Sequence, residues 1–176
     1  READLAGLDM QGANLTAADL RDADLSGANL DQAALVSTRL SGAALRGASL
    51  IEAHLSPERW WDVRLDGARL CKAEISGDLD GASFEGATYC QGTRWPDTAP
   101  PAGAIGPGGR APGVVREGLR LAEYDLHDLS APDAVLTGLE MIEGGLFKAD
   151  LRRADLRGAN FELADLSYAS LRSTDL

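Results

Sequence analysis

The protein has 176 residues, with 17 Lys and Arg against 28 Asp and Glu, and its formal net charge is −11. A chain this acidic does not bind nucleic acid by neutralising phosphates, and it attracts basic surfaces instead. No apolar run approaches the roughly 20 residues that a membrane-spanning helix needs, so we expect no membrane association.

Residues 13–30 carry the pattern that organises the chain. A leucine returns every fifth residue, and an alanine stands two places before each one; the leucines are Leu15, Leu20, Leu25 and Leu30. This period scatters leucines around an α-helix and sends them to alternate faces of a continuous strand. A chain that turns a corner after every fifth residue removes the conflict, because Ala and Leu then point to the same, inward side. Glycine recurs two places after several leucines, where a tight turn needs positive φ.

Four such sides close a square coil of about 20 residues, and successive coils stack as parallel strands about 4.8 Å apart. Parallel crossovers are almost always right-handed, so we expect a right-handed coil. The pattern of a small residue, a polar residue, Leu or Phe and two variable residues resembles the pentapeptide-repeat family. That resemblance implies an all-β fold, a right-handed quadrilateral parallel β-helix of seven to eight coils.

The first array occupies residues 1–95, with an irregularity at Ser56–Asp62. There Trp60 takes the place of a central leucine, and Pro57 cannot donate to a ladder, so we expect a local bulge. Trp61 should face outward. Two interpretations stay open: the indoles plug a defect in the wall, or Trp61 anchors a protein partner.

After Ile75 the register shortens by one residue. The next central residues are Leu79, Phe84 and Tyr89. The array ends in Thr93-Arg-Trp-Pro96, which resembles the closing segment common after pentapeptide arrays. We expect Trp95 to fold over the open end of the coil.

Cys71 and Cys90 then occupy equivalent outward positions one coil apart. A disulfide between them is one interpretation. Parallel side chains in register rarely offer its geometry, so we predict free thiols and, with them, a reducing, cytoplasmic setting.

Residues 96–118 are predicted to be a Pro/Gly-rich loop without periodicity. Within it, Gly106–Arg110 resembles a phosphate-binding cradle but lacks the Gly-Lys-Ser/Thr ending of a P-loop. A loop is therefore the preferred interpretation.

The second array occupies residues 119–176, in register from Leu176 back to Leu121. Leu119, Tyr124 and Leu129 replace the small inward residue, so its first coils should be wider or distorted. We predict that this array continues the same solenoid, because two open stacks would each expose unpaired edges. The open C-terminal end favours an end-to-end homodimer or a following segment, and a start in mid-repeat without Met suggests a piece of a longer protein.

No catalytic constellation is evident, and we predict neither an enzyme nor a cofactor. His54 and His127 lie far apart at outward sites. Asp125, His127 and Asp128 invite a metal interpretation, but a structural site needs more ligands at ordered spacing, so a solvated corner is preferred.

The charge pattern carries the functional hypothesis. With a coil of about 20 residues, Asp4 stacks with Asp24 and Asp155 with Asp175. These carboxylates and Trp61 form the candidate partner surface of a non-catalytic, protein-binding scaffold.

The resemblance implies an alternative, since some family members mimic DNA, bind DNA gyrase or topoisomerase IV and protect it from poisons. The present chain is of the plainer Ala-Asp-Leu type. A small-molecule binder or an enzyme that uses the 97–113 segment is the third hypothesis.

Overall fold

The computed structural model describes residues 3–97, 100–111, 113–114, 117–121 and 124–176. The chain divides into two compact units, Arg1–Thr98 and Ala99–Leu176, which we call unit 1 and unit 2. Within the described ranges there is no α-helix. Accordingly, none of these ranges offers a helix of the length and apolarity that crossing a membrane requires.

Each unit consists of short extended sides that stack in parallel on residues 20 positions along the chain. Three strands are long enough to name: β1 (Ala34–Val36), β2 (His54–Ser56) and β3 (Glu74–Ile75). They pair in parallel in the order β1-β2-β3, with Leu35 opposite Leu55 and Leu55 opposite Ile75. Single-residue parallel bridges join the other sides, as between Asp24 and Ala44. The predicted right-handed quadrilateral β-helix is confirmed.

Every regular corner is a tight turn with positive φ at its third residue. The Ala28 N–H donates to the Leu25 carbonyl at 3.1 Å, and Gly27 between them has φ of 66°. Residues other than glycine adopt the same conformation at equivalent corners, including Asp22 at 60° and Leu163 at 59°. The left-handed region is unfavourable for these side chains, so the ladder bonds around each corner must hold them there.

The core of unit 1 is a column of leucines with an alanine beside most of them. The central leucines from Leu25 to Leu70 are fully buried. Each contributes about 1.5–3 kcal/mol, which makes this column a sufficient core. In unit 2 an equivalent column extends from Leu121 to Leu156.

Trp60 fills its central position, with 2% of its surface exposed. Its indole Nε1 donates to the Ser76 carbonyl at 2.8 Å. Pro57 occupies a corner position where Ser37 and Gly77, one coil before and one coil after, have φ of 53° and 98°. Because the proline ring holds φ near −65°, this corner departs from the regular turn, as the sequence predicts.

The predicted loss of one residue after Ile75 is confirmed, and the chain later regains it. Ile75 and Leu79 are four positions apart, whereas Tyr89 and Trp95 are six apart. The register with the coil below is then restored, because the Ile75 N–H donates to the Arg94 carbonyl at 2.8 Å. Trp95 packs edge-on against Phe84 and Tyr89 at centroid distances of 5.7 and 5.4 Å.

Cys71 and Cys90 form a disulfide, so the prediction of free thiols is wrong. Their Cα atoms are 4.8 Å apart, which is within the range that a disulfide spans. The two residues follow Leu70 and Tyr89, which occupy matching central positions in neighbouring coils. Two cysteines at matching positions in neighbouring coils are therefore close enough to form a disulfide. The predicted cytoplasmic setting loses its basis, because disulfides persist mainly in oxidising compartments.

The Pro/Gly-rich segment keeps the period of five, so the expectation of an aperiodic loop at residues 96–118 is wrong. The positive-φ glycines at 103, 108, 113 and 118 recur at corner positions. Ala111 is fully buried, and its N–H donates to the Ser130 carbonyl at 2.9 Å. The period is hidden in the sequence because Gly106 and Ala111 stand where leucine is expected.

In unit 2 a glycine stands one coil after the large inward residue Tyr124. Tyr124 packs against the core, and Gly144 takes the corresponding position one coil later. A Cβ on Gly144 would lie 3.0 Å from the Tyr124 carbonyl oxygen and 2.7 Å from Met141 Cε. The expectation of wider or distorted first coils stays a prediction.

Candidate functional site

The predicted acidic side chains project from the outward position of each side, between the two inward residues. Asp4 bridges to Asp24 and Asp155 bridges to Asp175, so both predicted pairs stack. The ladders thus place carboxylates one strand spacing apart, about 4.8 Å.

These outward Asp and Asn residues also have a local structural role that the sequence analysis missed. The Asp24 Oδ1 accepts the N–H of Ser26 at 2.9 Å, and Asn14 Oδ1 accepts the N–H of Thr16 at 3.1 Å. The side chain thereby satisfies a backbone donor two residues later, which is the Asx-turn geometry. Hydrogen bonds from Ser26 hold the pKa of the Asp24 carboxyl below its usual value.

In unit 2 arginines compensate the predicted acidic pair. Arg157 contacts Asp155 at 2.6 Å and Asp175 at 3.6 Å. The hydrogen bond from Arg157 is the main reason that the pKa of Asp155 falls below its usual value. Arg152 contacts Asp150 at 2.7 Å in the same way. Two arginines thus offset part of the charge of these three carboxylates, with Arg157 shared between Asp155 and Asp175.

In unit 1 the first coils keep their negative charge. Among the residues that the structure describes, Asp4, Asp9 and Asp24 make no salt bridge. Asp24 experiences a weaker attraction to Arg46. We call Asp4, Asp9 and Asp24 the acidic surface of unit 1; Asp4 and Asp24 belong to the predicted surface, and all three carboxylates accept hydrogen bonds but make no salt bridge with a described residue.

Further along unit 1 the sign of the outward charge reverses. The ladder that starts at Asp19 continues with Arg39 and Arg59. Arg21 contacts Asp19 at 2.6 Å, and Arg39 lies 3.6 Å from the same carboxylate. The side-chain hydrogen bond from Arg21 strongly lowers the pKa of Asp19. This ladder therefore changes from an arginine-paired carboxylate to arginines within one coil.

Trp61 faces outward as predicted, with 68% of its surface exposed. It lines an open depression of about 290 Å³ together with Glu58, Arg59, Asp78 and Asp80. The aspartates come from the shortened side after Ile75, which the sequence analysis did not connect with Trp61. The signal was present, because that side lies one coil after the irregularity at Ser56–Asp62.

Each of the two histidines lies beside one carboxylate, and the glycine-rich segment takes part in backbone hydrogen bonds. His54 Nδ1 lies 2.9 Å from Glu74, and His127 Nδ1 lies 2.9 Å from Asp125. No three His, Cys, Asp or Glu side chains of the described ranges converge as a metal site would require. The Gly108 N–H donates to the His127 carbonyl at 2.8 Å, so this amide is not free to hold a phosphate.

A family model for pentapeptide repeats matches residues 1–35 and 146–176 in eight copies. No curated protein sequence matches the chain.

Solved structures of pentapeptide repeat proteins do match. HetL, involved in heterocyst differentiation regulation in the cyanobacterium Nostoc sp. strain PCC 7120, is 26% identical over 99% of this chain and 85% of that chain, with a TM-score of 0.41. A protein from the Arabidopsis thaliana thylakoid lumen is 33% identical over 52% of this chain and 68% of that chain, with a TM-score of 0.39.

Another similar structure is trypsin-treated QnrB1, a plasmid-mediated fluoroquinolone resistance protein. It is 18% identical over 99% of this chain and 89% of that chain, with a TM-score of 0.38.

Proposed function

The chain belongs to the pentapeptide-repeat family, and from that premise we propose that it is a non-catalytic protein-interaction module that binds a basic surface of a protein partner. The observation that carries the proposal is the acidic surface of unit 1. Asp4, Asp9 and Asp24 stand on hydrogen-bonded sides and make no salt bridge within the described residues.

Physical chemistry supports a basic protein surface as the ligand. The formal charge of −11 opposes binding to nucleic acid and accelerates encounter with positively charged proteins. The Asx-type hydrogen bonds fix the carboxylates before a partner arrives, as in the bond from Gln11 N–H to Asp9 at 3.3 Å. A preorganised surface loses less side-chain entropy on binding.

The test is an affinity capture from a lysate of the source cells with matched charge variants. We expect the double substitution Asp4→Asn with Asp24→Asn to lose the partner. Asp155→Asn with Asp175→Asn removes the same formal charge and should retain the partner, because Arg157 contacts both carboxylates and already offsets half of their charge. Equal capture by both variants would contradict the proposal, as would binding that is insensitive to salt.

A second candidate is a DNA-mimicking binder of DNA gyrase or topoisomerase IV that protects the enzyme from its poisons. Stacked carboxylates such as Asp4 and Asp24 favour it, because they repeat negative charge along one side. The change to Arg39 and Arg59 on another ladder counts against a continuous mimic. Supercoiling by gyrase, measured with and without micromolar protein, tests this candidate; an unchanged rate and unchanged poison sensitivity remove it.

A cytoplasmic location would expose the Cys71–Cys90 disulfide to cellular reductants. Alkylation of free thiols in intact source cells, followed by mass measurement of the purified chain, tests that location. Unmodified cysteines indicate an oxidising compartment or a protected bond, and two alkylated cysteines indicate a reducing one.

A further inference from the structure

We infer that the depression beside Trp61 binds an arginine or lysine side chain of the protein partner, with the cation placed on the indole and between carboxylates. The inference rests on the proposed function, which supplies a partner with a basic surface. It adds where on this chain the partner binds and which kind of partner side chain makes the contact.

The depression exists because two departures from the repeat lie one coil apart. Pro57 removes the regular corner before Trp60, and the side after Ile75 is one residue short. The Trp60 indole joins the two irregular segments through its hydrogen bond to the Ser76 carbonyl at 2.8 Å. A regular wall of pentads is flat, so a concave site needs such a departure.

The backbone of Trp61 and one edge of its indole contact neighbouring coils, and most of the side chain is exposed to solvent. Its carbonyl accepts the N–H of Gly42 at 3.1 Å. A Cβ on Gly81, which has φ of 83°, would lie 3.4 Å from Trp61 Cδ1, so the indole packs against the bare backbone of that turn. Tryptophan is the strongest cation–π partner among aromatic residues and is enriched in binding hot spots.

The acids around Trp61 determine what it binds. Asp78 and Asp80 line the depression and make no salt bridge in the described part of the chain. The Asp80 N–H donates to Asp78 Oδ1 at 3.1 Å, which orients that carboxylate. Glu58 lines the same depression and lies 3.5 Å from Arg39. An anionic side chain is repelled here, whereas a cationic one is attracted to Asp78 and Asp80.

Arg59 is the positively charged residue that lines the depression, and it makes no salt bridge within the described residues. It lies in the ladder above Arg39. We expect Arg59 to compete with an incoming cation for the carboxylates. Its removal should therefore strengthen binding, which a merely structural role of the depression would not produce.

The test uses the full chain and a defined probe, the peptide acetyl-Gly-Arg-Gly-amide. The control peptide carries citrulline, which is neutral and nearly isosteric with arginine. Binding is followed by the indole N–H resonances in nitrogen-15 NMR, with the Trp61 signal assigned from Trp61→Phe. We expect a saturable shift of that signal with the arginine peptide and about tenfold weaker binding of the citrulline peptide.

Three variants make the inference falsifiable. Asp78→Asn with Asp80→Asn should weaken binding by about threefold to tenfold, and Arg59→Gln should strengthen it by about twofold to threefold. Asp4→Asn with Asp9→Asn removes two carboxylates elsewhere and should change it less. Equal affinity for both peptides, equal affinity for an acetyl-Gly-Glu-Gly-amide probe, or self-association of the protein through Trp61 would each overturn the inference.

Variants of Trp61 and of the acidic surface distinguish failure of this binding site from failure of the proposed function. If Trp61→Ala still captures the partner with wild-type affinity while Asp4→Asn with Asp24→Asn does not, the function stands and this site is wrong. If neither variant affects capture, the proposed acidic surface is wrong as well. Trp61 is largely exposed, so Trp61→Ala should keep the wild-type thermal midpoint.

Discussion

Replacing Gly27 with alanine tests the claim that corner geometry, rather than side-chain contact, determines where glycine is needed. Gly27 has φ of 66°, and an added Cβ would meet nothing within 4 Å. The left-handed conformation costs an alanine about 1–2 kcal/mol, and alanine recovers about 0.4–1 kcal/mol through its less flexible unfolded state. The expected result is therefore a loss of about 1 kcal/mol in the free energy of unfolding, which lowers the thermal midpoint by about 2–4 °C.

The assay is urea unfolding followed by tryptophan fluorescence, because the midpoint should fall while the denaturant dependence stays unchanged. Ala17 offers the matched control, since it has φ of 59° at an equivalent corner and its N–H donates to the Val36 carbonyl at 2.9 Å. Ala17→Gly should change stability in the opposite direction. If both substitutions destabilise, or if Gly27→Ala is neutral, the corner argument is wrong.

Three further outcomes are expected. Cys71→Ser should lower the free energy of unfolding by about 2–4 kcal/mol and abolish the sensitivity of the thermal midpoint to dithiothreitol. Two titratable thiols in the unreduced wild-type protein would contradict the disulfide. Gly144→Ala should cost about 1–3 kcal/mol in a denaturant titration, because its Cβ would lie 3.0 Å from the Tyr124 carbonyl oxygen and would displace the Met141 side chain. A neutral effect would mean that the coil can widen. Hydrogen bonding to Arg153 lowers the pKa of Asp133 in the folded state, so its contribution is present above the unfolded pKa, near 4, and is lost as pH falls through the folded value. Asp133→Asn should therefore flatten the acid limb of the stability curve, and an unchanged limb would count against that pair.

Much of the candidate surface was predictable because the pentad is a local rule. Residues two apart point to one side of an extended piece, so the pattern alone places Leu25 inward and Asp24 outward. Stacking at intervals of one coil then pairs Asp4 with Asp24, as the bridge confirms. The same rule identified Trp60 as a replacement for leucine and Trp61 as its exposed neighbour.

The sequence by itself determined the period, the inward and outward residues and the place where one residue is lost. Only the tertiary structure decided what happens between coils: that Cys71 meets Cys90, that Arg157 also reaches Asp175 while Asp4 makes no salt bridge with a described residue, and that residues 103–111 join a coil. These outcomes depend on residues about 20 positions apart that become neighbours when the coils stack. The pentad pattern shows which side of the coil a residue faces. It does not give the distance between that residue and the side chain stacked on it in the next coil.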